Sequence, residues 1–185
     1  VHAVRLAQAR ATAISGDRVI DHQDSTIVAV RTDEGITGWG EVAPWGPTYL
    51  PMTAGTVRAA LDVIAPAVLG ADPRNINAVN ERMSRAVRGQ EPSRHAVDVA
   101  CWDVLARSLG VPLVELFGGA VTHPLRTAGF LHRDGTGTYE ARIAELRAAG
   151  HPHFEIKASG YGAADAQLVR ELVALMQPGE RLKVD

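Results

Sequence analysis

Residues 92–119, PSRHAVDVACWDVLARSLGVPLVELFGG, separate two different rhythms in the chain. Ser93 stands where a helix cap is expected. Val97, Ala100, Cys101, Val104 and Leu105 recur at helical spacing, and Gly110 supplies the stop. The spacing predicts a helix over 92–110, followed by a short helical turn in VPLVELFGG (111–119) that ends in a glycine pair.

Upstream, the first 45 residues read as β structure. VHAVRLAQAR alternates apolar residues at Val4 and Leu6, and STIVAVRTDEG (25–35) is a β-branched run closing on an Asp-Glu-Gly turn. ITGWGEVAP (36–44) follows at once, which predicts a hairpin. Gly38 and Gly40 inside the second strand predict either a bulge or the close approach of another backbone. Past the Pro/Gly loop 46–52, a helix is expected over 53–70, with Thr53 as cap, Leu61, Ile64 and Leu69 as its apolar stripe and a break at Pro66. A second is expected over 72–89, with Asp72 as cap, Pro73 at the first helical position and Gly89 at the end.

Downstream, LRTAGFL (125–131), HFEIKAS (153–159) and RLKVD (181–185) are strand-like. Helical stretches at 136–150 and 162–179 lie between them. This β-α-β-α-β order with short links is the signature of a parallel sheet. An α+β part over 1–120 is therefore expected to precede a β/α part over 121–185.

Composition excludes several function classes. With 46% apolar and 22% charged residues the chain is ordinary for a globular protein. A net charge of -2 gives no electrostatic case for nucleic acid or an anionic membrane as partner. No apolar run reaches the roughly 20 residues of a membrane span. Cys101, the single cysteine, allows no intrachain disulfide and no cysteine-rich metal site, which fits a cytoplasmic location.

Side chains two apart on a strand share a face. Glu155 and Lys157 therefore point the same way, and so do Lys183 and Asp185 on the next strand. Lys157 reads as an acid/base or as a surface lysine with its stem laid along the strand end. Asp185 reads as an oxygen ligand for a hard cation or as the cap of a following helix. His151 and His153 flank Pro152 at the strand's start and carry little metal signal. SGYGAAD (159–165) is rich in glycine yet lacks the Gly-Lys-Ser/Thr ending of a phosphate loop.

GITGWGEVAP (35–44) resembles the hairpin of the capping domain of the enolase superfamily. Asp98, Trp102, Asp103, Gly110, Pro112, Leu116, Gly118 and Gly119 match its domain-joining helix. The chain is identified as resembling the mandelate racemase/muconate lactonizing enzyme family, nearest the muconate-lactonizing subgroup. The resemblance implies an α+β capping domain followed by the start of a (β/α) TIM-type barrel, incomplete in this chain, with chemistry at the C-terminal ends of the strands. It also implies Mg2+ as cofactor, Asp185 as metal ligand and Lys157 as the second lysine of a Lys-x-Lys motif. Glu155 departs from that motif, since a lysine commonly stands there. A lysine at 155 disfavours the Lys157 ammonium and a carboxylate favours it. Glu155 is expected to pair with Lys157 or with Lys183, or to mark an altered site.

The resemblance further implies that the loops 15–25 and 42–52 cover a small carboxylate substrate, with Trp45 and Tyr49 as a wall and His22 as a polar contact. The implied reaction is abstraction of a proton alpha to a carboxylate, foremost as a racemase or epimerase. Cycloisomerase, dehydratase or a non-catalytic divergent member are the alternatives, and the full-length protein is expected to be a homo-oligomer. A barrel takes about 250 residues. The sequence thus predicts the N-terminal portion of a longer enzyme, inactive as this stretch alone.

Overall fold

A computed structural model describes residues 1–15, 18–46, 49–121, 124–133, 135 and 137–185. The chain forms two compact units, Val1–Ala7 with His22–Val121, and Gln8–Asp21 with Thr122–Asp185.

Strands β1 (His2–Ser15), β2 (Arg18–Arg31) and β3 (Thr37–Val42) lie side by side in that order, and their residues up to Ala7 and from His22 on belong to the first unit. The turn between β2 and β3 closes as expected. Gly35 N–H donates to Thr32 O at 3.2 Å, and the Thr32 hydroxyl accepts from Ile36 N–H at 3.0 Å. Residues 15–25 differ from the expected covering loop: Ser15 ends β1 and residues 18–25 belong to β2, so the described residues of this stretch are strand; Gly16 and Asp17 lie outside the described residues. Its β-branched run simply begins earlier, at Val19 and Ile20.

Helices α1 (Ala54–Val68), α2 (Ile76–Ala86), α3 (Glu91–Leu109) and α4 (Leu113–Leu116) follow. Thr53 caps α1 in a reciprocal arrangement with Thr56. Pro66 does not break α1, which runs on to Val68. Pro66 lies in the last turn, so the bond lost to its missing N–H costs only the helix end. Leu61 and Ile64 are buried as expected, but Leu69 lies beyond the helix and is 76% exposed. Asp72 does not cap α2. Its carboxylate accepts from Arg74 N–H at 3.0 Å and closes a turn, and Asn75 takes the cap position three residues later. Ser93 does not cap α3 either. Gln90 holds that position in left-handed backbone, and Ser93 turns inward to donate to Val57 O at 3.1 Å, tying α3 to α1.

The register of β2 with β3 runs unbroken from Thr26↔Val42 to Arg31↔Thr37, so the glycines of β3 mark no bulge. They mark close approach. A Cβ on Gly38 would overlap Ala100 O and meet Val104 Cγ2 at 2.7 Å; one on Gly40 would overlap Ala96 O. Helix α3 therefore lies directly on the backbone of β3, through its small residues Ala96 and Ala100.

In the second unit, β4 (Ala128–Leu131), β5 (His153–Ile156) and β6 (Arg181–Val184) form a parallel sheet in chain order. Helices α5 (Tyr139–Ala148) and α6 (Gly162–Ala174) connect them. Leu131, Phe154 and Ile156 are buried in one cluster with Ile143 and Leu146 of α5 and Leu172 of α6. Arg147 braces the far ends of these helices: its guanidinium makes two bonds to Glu180, at 2.6 and 2.7 Å, and one to Leu175 O at 2.7 Å. The strands are shorter than their sequence patterns: β4 begins three residues later than expected, and β5 and β6 end at Ile156 and Val184. Among the described residues no helix is long and apolar enough to cross a membrane.

Candidate active site

Burial of Phe154 and Ile156 under the helices leaves Glu155 and Lys157 on the opposite face of the sheet. The parallel register sets Phe130, Glu155 and Lys183 in one cross-strand row. One step beyond the strands, Ala158 N–H donates to Asp185 O at 2.6 Å and Asp185 N–H to Ile156 O at 3.0 Å. The backbone thus carries Lys157 and Asp185 to adjacent positions at the C-terminal edge.

Their side chains meet. The Lys157 ammonium donates to Asp185 Oδ2 and lies 3.8 Å from Glu155 Oε1. Glu155 Oε2 in turn accepts from Lys183 Nζ at 3.1 Å. The result is an alternating line, Asp185–Lys157–Glu155–Lys183, with no net charge. The two pairings expected of Glu155 as alternatives occur together, since it lies against each lysine. Lys157 and Glu155 are 25% and 22% exposed, whereas Asp185 and Lys183 are 45% and 61% exposed, so the middle pair is the more shielded from solvent.

A second charged group stands beside this line. Asp165, in the first turn of α6, accepts from Ser159 N–H at 2.9 and 3.1 Å, Gly160 N–H at 2.9 Å and the Ser159 hydroxyl at 2.8 Å. Arg133 donates to the same carboxylate at 2.7 Å. These backbone and guanidinium donors hold the Asp165 carboxyl well below the usual carboxylate range. The glycine-rich loop therefore has its N–H groups at 159 and 160 taken by the chain's own carboxylate, which leaves no cradle there for a phosphate. Asp165 and Arg133 escape a motif search. The available signal was an acidic residue in the first turn of a helix just after a glycine loop.

The other expected residues sit in the first unit. Trp45 and Tyr49 pack their rings 5.8 Å apart and remain 40% and 46% exposed. His22 lies in β2, against Arg5 at 2.9 Å and 3.8 Å from Asp24, so it is a strand residue within a polar group and not a loop residue. His151 bonds Thr127 O at 3.1 Å, at the start of the strands and away from the charged line.

A hard divalent cation takes about six oxygen ligands. Asp185 fits as one donor, but its Oδ2 is engaged by Lys157, and among the described residues no three His, Cys, Asp or Glu side chains come together to hold a metal. The described residues do not by themselves complete a magnesium site.

An α+β unit with a helix laid on its hairpin, followed by parallel β/α units with charged side chains at the strand ends, defines a capping domain joined to the start of a β/α barrel. The chain belongs to the mandelate racemase/muconate lactonizing enzyme family of the enolase superfamily, whose N-terminal domain matches residues 4–118. It is 32% identical to the cis-3-hydroxy-L-proline dehydratase of Roseibium aggregatum over 92% of this chain and 47% of that protein. It is 37% identical to the D-galactonate dehydratase of Ralstonia pickettii over 69% of this chain and 33% of that one. A solved member of the enolase superfamily from Roseovarius nubinhibens, complexed with magnesium, is 34% identical, with a TM-score of 0.85 over 99% of this chain and 50% of that chain. The chain thus spans about half the length of these relatives or less.

Proposed function

We propose that the whole protein removes the proton alpha to the carboxylate of a small organic acid, with Lys157 as the base that receives it. The observation carrying this reading is the Lys157 ammonium set against Asp185 at neighbouring strand ends, on the face away from the helices. Such edges are where β/α barrels hold their chemistry. We propose Asp185 as one ligand of a magnesium ion; magnesium, when bound, stabilises the negative charge that grows on the substrate carboxylate. Glu155 orients Lys157 by holding Lys183 on its other oxygen. The Trp45–Tyr49 pair is the cap's candidate contribution to substrate binding.

Two fates are open to the carbanion. Reprotonation on the opposite face inverts the centre, the racemase or epimerase reading. Expulsion of a protonated β-hydroxyl as water gives an enol from a 2,3-dihydroxy acid, which becomes a 2-keto acid, or an enamine from a 3-hydroxylated cyclic imino acid, which becomes a cyclic imine. Both relatives named above are dehydratases, which favours the second fate and makes 2,3-dihydroxy acids and 3-hydroxy imino acids the first substrates to try. Product analysis separates the two: a keto acid or imine signifies dehydration, an inverted centre signifies racemisation. Lys157→Ala is expected to lower either rate by about 10²- to 10⁴-fold. Equal rates in variant and parent would contradict the assignment of the base.

A second reading is favoured by the two carboxylates beside Lys157, which suit a non-catalytic ion-pair network that binds acids without reacting. Binding of β-hydroxy acids with no product of either kind would select it.

A further inference from the structure

Lys157 lies between two backbone attachments. On one side Ile156 O and Ala158 N–H are both bonded to Asp185. On the other, the loop that follows is gathered onto one carboxylate, that of Asp165. Asp165 is 14% exposed, deeper than any member of the charged line, and Arg133, 30% exposed, closes over its Oδ1. The Arg133 guanidinium also reaches the Lys157 carbonyl at 3.5 Å. One ion pair therefore connects three things: the residue two past the end of β4, the start of α6 and the backbone of Lys157.

We propose that Asp165, with Arg133, is a positioning pair for Lys157: it fixes the loop 157–161 so that the Lys157 side chain leaves the strand end toward Asp185 and Glu155. A lysine has four rotatable side-chain bonds, so its amine is placed only as well as its backbone is held. The backbone bonds to Asp165 remove the freedom that two residues, Ser159 and Gly160, would otherwise give the loop. The charge of Arg133 keeps the Asp165 carboxylate ionised and aimed. The inference rests on Lys157 being the base, and it adds two residues that touch neither substrate nor the reacting atoms.

The test compares Asp165→Ala and Asp165→Asn with the parent in the intact protein. It uses hydrogen exchange across 157–162, the ¹³Cε signal of Lys157 in lysine-labelled protein, and kcat and KM for α-proton removal, read as exchange or as dehydration. Asp165→Ala is expected to speed amide exchange at Ser159 and Gly160 at least about tenfold and to move the Lys157 signal. It should lower kcat by about 10- to 100-fold, the cost of a misplaced reacting group, with KM nearly unchanged. Amides in β4, β5 and β6 should stay protected. Asp165→Asn, the variant less prone to misfold, keeps Oδ1 for Ser159 and sets an N–H2 against Gly160. Gly160 alone should then lose protection, with kcat between parent and alanine variant. A Lys157 signal and kcat that stay put while the loop amides exchange freely would overturn the proposal, as would loop amides that stay protected in Asp165→Ala. A parent protein that removes the α-proton neither by exchange nor by dehydration would sink the catalytic reading, and the amide and Lys157 signals would still decide whether the pair positions the lysine.

Discussion

Asp165 and Glu180 are both acids whose proton affinity the fold lowers, the first through the Ser159 N–H and then Arg133, the second through the Arg147 guanidinium. For a carboxylate depressed in the folded state, the stabilisation is complete above the unfolded value near about 4 and is lost as pH falls through the window below it. The β4–β6 unit should therefore hold its thermal midpoint down to about pH 4 and lose it steeply below. In Asp165→Asn combined with Glu180→Gln, circular dichroism melts should show a lower midpoint at neutral pH and a flatter acid limb. An unchanged acid limb would mean that neither carboxylate is held as described. Cys101 presents the opposite case. Burial first and Asp98 second push its thiol up to about 11, and the side chain is 1% exposed. Iodoacetamide at pH about 8 should label it only after denaturation; labelling of the native protein at the rate of a free thiol would contradict the packing of α3.

At the scale of elements, the meeting of β3 with α3 is the firmest joint of the first unit. Gly40→Ala pushes a methyl into Ala96 O, which is backbone and cannot swing aside. The expected cost is about 3 kcal/mol or more, read as a fall in the urea midpoint; a loss under about 0.5 kcal/mol would show that α3 has room to move. Gln90 holds a left-handed backbone, with φ of 57°, at the start of the same helix. Gln90→Gly should relieve about 1 kcal/mol and raise the midpoint. The sequence carried much of this. The paired glycines announced a bulge or a close backbone, and Gly110 announced the end of α3. The caps were misread at Asp72 and Ser93 for one reason: several residues near a helix start can accept or donate, and only packing decides which one faces the open N–H groups. Ser93 is drawn into the core by Val57 O, and Asp72 is drawn into its own turn by Arg74.

For the whole molecule, the strand alternation put Glu155 with Lys157 on one face of their strand and Lys183 with Asp185 on one face of theirs, because period two needs no tertiary information. The sharing of Glu155 between both lysines was not legible, since it depends on the in-step parallel register of β5 and β6. Arg133 and Asp165 were not legible either. They are 32 residues apart, and nothing local brings them together. The central claim is that the amine at 157 and the carboxylate at 185 form the proton-abstracting half of an active site. The most direct measurement is deuterium incorporation from heavy water with magnesium, by mass spectrometry, at Cα of the recovered acid or at Cβ of a keto-acid or imine product, across a panel of 2,3-dihydroxy acids and 3-hydroxy imino acids. The parent, Lys157→Ala and Asp185→Asn proteins should be run side by side. The account predicts incorporation with at least one acid in the parent and its loss in both variants; incorporation that survives Lys157→Ala at the parent's rate would contradict it.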